Sequence, residues 1–206
     1  MFASNHRRAI QAVNARQINL SPGDALQFSA GKVLFELSVP SGPNNSESFG
    51  TFRIRQVFGA FESGPLERDG SIASLLVGDV NADKISDVVI VVRSVGSGSY
   101  ASIIYVLTDA TSYQVLRVPE PPSSLLSEYQ GHDEVTLENG LIVRRFPTYV
   151  DVPALRIDRQ WSASELIHGG KLPVRHSPDS NSAPSGRSEA LSYSVTAKQW
   201  SRVIGH

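Results

Sequence analysis

Oxygen-bearing side chains recur at Asp79, Asn81, Asp83 and Asp87, in the order D-x-N-x-D-x-x-x-D. That spacing opens calcium loops, in which alternate turn residues and one carbonyl, here that of Ile85, surround a hard cation. Lys84 stands where such loops carry glycine, and Ile90, at the twelfth position, is not acidic. The same residues also describe an Asx-rich turn whose side chains accept local backbone amides. A second group, Gly96, Ser97, Gly98, Ser99 and Tyr100, follows shortly after and sits between two apolar runs.

Three kinds of chemistry use such a tip. A dinucleotide fingerprint needs its glycines to open a helix whose N-terminus faces the pyrophosphate. Gly96, Gly98 and Ala101 fit the letters, but SIIYVLT follows, and its β-branched and aromatic residues make a strand. A nucleophile elbow needs G-x-S-x-G, and Gly98 occupies the serine's place. His132, His168 and His176 lie in loop-like sequence with nothing to pair them to Ser97 or Ser99. The chain is therefore read as no enzyme. Insertion into a partner's cleft remains, for which a narrow tip offers hydroxyls, backbone amides and one low-entropy anchor, Tyr100. A plain surface turn would use the same small residues.

The elements that must hold these groups are strands. KVLFELSV (32–39), GTFRIRQVFG (50–59), SIASLLVGDV (71–80), SDVVIVVRS (86–94), ASIIYVLT (101–108) and YQVLRVP (113–119) are short, β-rich and separated by turn residues. Val88 to Val92 is apolar without a break, the pattern of a strand covered on both faces. Asn139-Gly140 marks a hairpin within 133–146, and Ala197-Lys198 marks another within 188–204. Helices are expected only at 123–130 and 162–170, and low-complexity punctuation at 40–49, read as a mobile loop, and at 177–187. The expected fold is all-β: an antiparallel β-sandwich or barrel-like single domain over 21–206, with one or two short helices. Residues 1–20 are expected to stay loose or form one amphipathic turn.

Composition excludes more than it assigns. The 206 residues carry a net charge of −1 and no cysteine, which removes disulfides, thiolate catalysis and zinc–thiolate sites. The charge gives no reason to expect nucleic acid or an anionic membrane as partner. No apolar run approaches the length needed to span a bilayer, and the start shows no intact signal peptide.

The segment VGDVNADKISDVVIVVRSVGSGSYASIIYVL (77–107) resembles the heart of the bacterial periplasmic inhibitors of invertebrate-type lysozyme. The likeness rests on the acidic turn, the apolar strand and the serine-glycine-x-tyrosine loop, here Ser97-Gly98-Ser99-Tyr100. YQGHDEVTLENGLIVRRFPTY (129–149) resembles the family's next hairpin, and DSNSAPSGRSEALSYSV (179–195) its second loop and following strand. Residues 150–178 look like an insertion. The second loop departs from its usual Gly-Gly-Thr-Arg, with Ser185-Gly186-Arg187 in its place and Glu189 soon after.

The resemblance implies an all-β, commonly dimeric, periplasmic or secreted protein that needs no cofactor and has lysozyme as its partner. It implies contacts by Gly96, Ser97, Gly98, Ser99 and Tyr100, with Arg187 from the second loop. Ser97 would meet a catalytic carboxylate, Gly98 would pass where a sugar ring lies, and Tyr100 would support the loop from behind. The alternative is a calcium-binding β module that holds glycan or protein, with Asp79, Asn81, Asp83 and Asp87 as ligands.

Overall fold

The computed structural model describes residues 7–10, 16–94, 102–109, 112–126, 129, 131–151 and 182–203. Fourteen strands lie among them. The first six are β1 (Arg7–Ile10), β2 (Arg16–Gln17), β3 (Ala25–Ala30), β4 (Val33–Ser38), β5 (Phe49–Gln56) and β6 (Leu66–Asp69). Then come β7 (Ser71–Gly78), β8 (Asp87–Arg93), β9 (Ser102–Asp109) and β10 (Tyr113–Arg117). The last four are β11 (Glu134–Glu138), β12 (Leu141–Asp151), β13 (Ser182–Ser194) and β14 (Gln199–Arg202).

They form three sheets, ordered β1-β3-β4-β5-β6, β10-β9-β8-β7-β2 and β11-β12-β13-β14. All pairings are antiparallel except β1 with β3. No sheet closes into a barrel among the described residues. The result is a three-layer stack with the second sheet in the middle.

Strand β8 shows why. Its side chains alternate between two cores, as the period of two requires. Val88, Ile90 and Val92 pack with Phe28, Phe35 and Ile54 of the first sheet. Val89 and Val91 pack with Ile142, Phe146 and Leu191 of the third. Six of the seven residues of β8 are buried, including Asp87. The unbroken apolar run thus describes one strand serving two interiors. In β7 a bulge between Ile72 and Ser74 shifts the alternation, so that Ile72 and Leu75 face the same core.

Both hairpins expected from their turn residues are present. Asn139 and Gly140 take positive φ between β11 and β12, and Lys198 does so between β13 and β14. The helix expected at 123–130 shrinks to one 3-10 turn, Ser123–Leu125, while Tyr129 bridges to Thr148. The helix expected at 162–170 lies outside the described residues. In the N-terminal segment Arg7–Ile10 and Arg16–Gln17 are short strands, and residues 1–6 and 11–15 lie outside the described residues. The punctuation expected at 177–187 is already strand from Ser182 onward.

Truncating Ile90 to alanine leaves a hole between the first two layers. We expect Ile90→Ala to lower the unfolding free energy by about 2–5 kcal/mol in urea titration. Gln114→Ala, on an exposed position of β10, should stay within about 0.5 kcal/mol.

Candidate functional site at the root of the central hairpin

The tip that carries Gly96, Ser97, Gly98, Ser99 and Tyr100 lies outside the described residues. The structure shows its root, where Arg93 pairs with Ser102 at the end of the β8–β9 ladder. The root is gripped from both outer layers.

On the side of the first sheet, the chain crosses from β6 to β7 at Gly70. Its φ is +144°, and a Cβ built there would lie 2.0 Å from the Arg93 carbonyl oxygen and 2.6 Å from the Cα of Ser94. Only glycine lets the crossover sit against the root this closely. Arg68, 2% exposed, aims its guanidinium at carbonyls: Nη1 donates to Gly70 at 3.0 Å and to Glu47 at 3.2 Å, and Nη2 donates to Ser46. Burial lowers the Arg68 pKa from its ordinary value. These bonds tie the 40–49 loop, expected to be mobile, to the crossover, and Asn45 Oδ1 accepts the Thr51 amide.

On the side of the third sheet, Arg93 Nη2 donates to the carbonyl of Asp133 at 3.3 Å. The Asp133 carboxylate is fully buried and stands 2.7 Å from Nε of Arg144. That spacing is an ion pair, although the two atoms are not aligned as a hydrogen bond. Arg144 faces inward because it shares the alternation of Ile142 and Phe146 along β12. Burial opposes its charge, yet Asp133, Tyr129 and Glu120 outweigh burial and raise its pKa. Tyr129 supplies a hydroxyl to Nη2 at 2.6 Å, and its ring stacks under the guanidinium at 4.8 Å. Arg144 is interior, and Arg145 pairs with Glu138 on the outer face.

Arg187 does not sit on a loop. It lies exposed in β13, opposite a bulge between Pro147 and Tyr149 of β12. Thr148 fills that bulge, its hydroxyl meeting Ser185 and donating to the Arg187 carbonyl at 3.4 Å. Strand β11 stops pairing at Arg145, while β12 and β13 continue as a two-stranded ribbon to Asp151 and Ser182. Because Asp133 enters β11 beside Arg93, this ribbon leaves the stack at the same end as the root at Arg93.

The acidic turn lies at the other end. Strand β8, seven residues long, separates it from the tip root by about 20 Å at ~3.3 Å per residue. The acidic turn is therefore separate from the root of the tip. Within the turn, Asp79 accepts the amides of Ala82, Asp83 and Lys84 at 2.7, 3.2 and 2.9 Å. Asn81 accepts Asp83 at 3.0 Å and donates to Thr108 at 2.8 Å, and Asp83 accepts Ile85 at 2.7 Å. Ala82 and Lys84 both take positive φ. Among the described residues, no group of three or more His, Cys, Asp or Glu is placed to hold a metal ion.

Asp87, 1% exposed, accepts Val80 N at 2.8 Å through Oδ2. Burial raises its pKa above the ordinary 3.8; the Val80 amide and the neighbouring Thr108 hydroxyl pull the other way. No hydrogen bond of sound geometry reaches Oδ1, so burial dominates.

Sequence reasoning missed the grip of Arg68, Gly70, Arg93 and Asp133. Its one readable trace is Gly70, immediately before the strand-forming run 71–80. His132 takes positive φ and is exposed, and Asp133 precedes the entry to β11.

Fold and site together define an all-β sandwich that presents one hairpin from the middle of its central sheet. The sequence profile described as periplasmic lysozyme inhibitor of I-type lysozyme matches residues 12–119, more than half of the chain, and the chain belongs to that family. The match runs from β2 through β10 and includes the hairpin. It begins well before the stretch on which the resemblance was seen and ends before 129–149 and 179–195. The description is of an inhibitor, and it names the periplasm. Comparison with curated proteins and comparison with solved structures each give no match.

Two predictions follow from the local geometry. Gly70→Ala places a methyl against backbone at a φ that alanine resists. It should cost more than about 1 kcal/mol in thermal unfolding and move the amide resonances of Arg93 and Ser102. For Asp87 the folded pKa exceeds the unfolded one, so folding binds its proton more tightly. Its contribution to stability is complete below pH 3.8 and declines as pH rises from there through the folded pKa. Asp87→Asn keeps an acceptor for Val80, and the wild-type-minus-mutant melting difference should drift downward with pH over that window. A flat difference would contradict the assignment.

Proposed function

We propose that this chain inhibits an invertebrate-type lysozyme by inserting the Ser97–Tyr100 tip into the substrate groove. One observation carries the reading: the family match spans the β8–β9 hairpin, whose two strands are the most enclosed of the central sheet. A tip rooted in that sheet loses little freedom on docking, because its ends are already fixed. Lysozyme cleaves with two carboxyl groups across its groove, one of which must donate a proton. The Ser97 hydroxyl would bond one carboxyl while the backbone at Gly98 occupies the space of a sugar ring. A tip without a glycosidic bond offers nothing to cleave. Tyr100 would brace the tip from behind, and Arg187, on the ribbon at the same end, would reach the enzyme's rim. The family description supports a periplasmic site of action.

The test is lysis of bacterial cell walls by invertebrate-, goose- and chicken-type lysozymes, with and without the protein. We expect inhibition of the invertebrate type, weakened at least tenfold by Ser97→Ala and by Tyr100→Ala, the loss of one well-placed charge-assisted bond or buried anchor. Undiminished lysis by all three enzymes would end this reading.

A further inference from the structure

Away from the hairpin tip, the central and third layers part around a cavity of about 230 Å³. Its walls are Val106 of β9, Leu116 of β10 and Val118 from the middle layer, with Tyr193 of β13 and Val195 from the third. One flank is closed by Pro119, whose carbonyl accepts the Trp200 indole N–H at 2.7 Å. The remaining lining residues are Arg117 and Lys198. Both are exposed, and neither makes an ion pair or hydrogen bond among the described residues. No acid lines the space.

Between the first and central layers, Phe28, Phe35, Leu37, Phe52 and Ile54 are fully buried. An apolar space left open forfeits contacts that a filled one would gain. Two unpaired cations at the mouth of an apolar cleft select a ligand with a hydrophobic body and an anionic head. The volume equals about eight liquid waters at ~30 Å³ each, so the body is short, roughly six to eight heavy atoms in all.

We propose that this cleft binds a short alkyl carboxylate, its chain between Val106 and Tyr193 and its head between Arg117 and Lys198. The site is independent of the lysozyme reading, because the cavity lies between sheet faces and includes no residue of the tip.

The test titrates the full chain with hexanoate, hexylammonium and hexanol, following the methyl resonances of Val106, Val118 and Val195. Hexanoate should produce saturable shifts with half-saturation at or below about 1 mM, an affinity modest for a ligand this small. Hexylammonium should bind at least tenfold more weakly, with hexanol in between. In the double variant Arg117→Gln/Lys198→Gln, which alters only exposed positions, the preference for the anion should fall below about twofold. Absence of saturable shifts with hexanoate to about 10 mM overturns the proposal. So does equal binding of hexylammonium, or an anion preference that survives in the double variant.

Discussion

Everything in this fold depends on β8 being covered on both faces. A strand with one wet face can tolerate a polar residue at every second position, but β8 cannot tolerate one between Val88 and Val92. Its even positions are committed to the first layer and its odd positions to the third. A slip of one residue would exchange the two sets and leave both cores mismatched, so packing fixes the register of β8. That matters at Arg93 and Ser102, where the ladder ends and the tip begins. A strand held this way delivers its last residue to one place.

The second constraint is the buried pair of Arg144 and Asp133. Two charges taken from water cost several kcal/mol each, and their attraction returns that only when the remaining donors are satisfied. Here Tyr129, Glu120 and the ring contact meet most of the guanidinium. The pair is therefore weak evidence for stability and better evidence for position. It places the Asp133 carbonyl where Arg93 reaches it, joining the third sheet to the root of the hairpin. Opposite it, Arg68 does similar work with carbonyls alone, and Gly70 permits the close approach.

Much of this was legible in the residues, and the remainder has physical reasons for being hidden. The run Val88–Val92 announced a doubly covered strand, and Asn139-Gly140 announced a turn, because both signals are local. Strand β6, LERD, was unreadable: its one buried side chain is an arginine, whose purpose appears only when Ser46 and Glu47 come beside it. Arg144 and Arg145 are alike in sequence, and only the inward phase of β12 separates the core residue from the surface one. Acidic spacing suggested ligands at Asp79, Asn81, Asp83 and Asp87; it did not show that the first three also accept backbone amides of their own loop. Ser185-Gly186-Arg187 looked like loop because serine and glycine are turn formers. A bulge opposite Thr148 uses the same residues inside a strand.

The family match ends at residue 119, yet the chain's physics does not divide there. Residues 12–119 supply the first two layers apart from β1, and leave Leu76, Val89, Val91, Ile104 and Val106 facing the third. Exposing five such side chains would forfeit about 8–15 kcal/mol at 1.5–3 kcal/mol each, an upper bound because unfolded chains already bury part of this surface. A domain of this size is stable by only about 5–15 kcal/mol in total. The matched segment, cut out, would thus lose a sum comparable to its whole margin. In this chain the third sheet is therefore a structural condition for the hairpin, since it covers the face of β8 that the matched segment leaves bare.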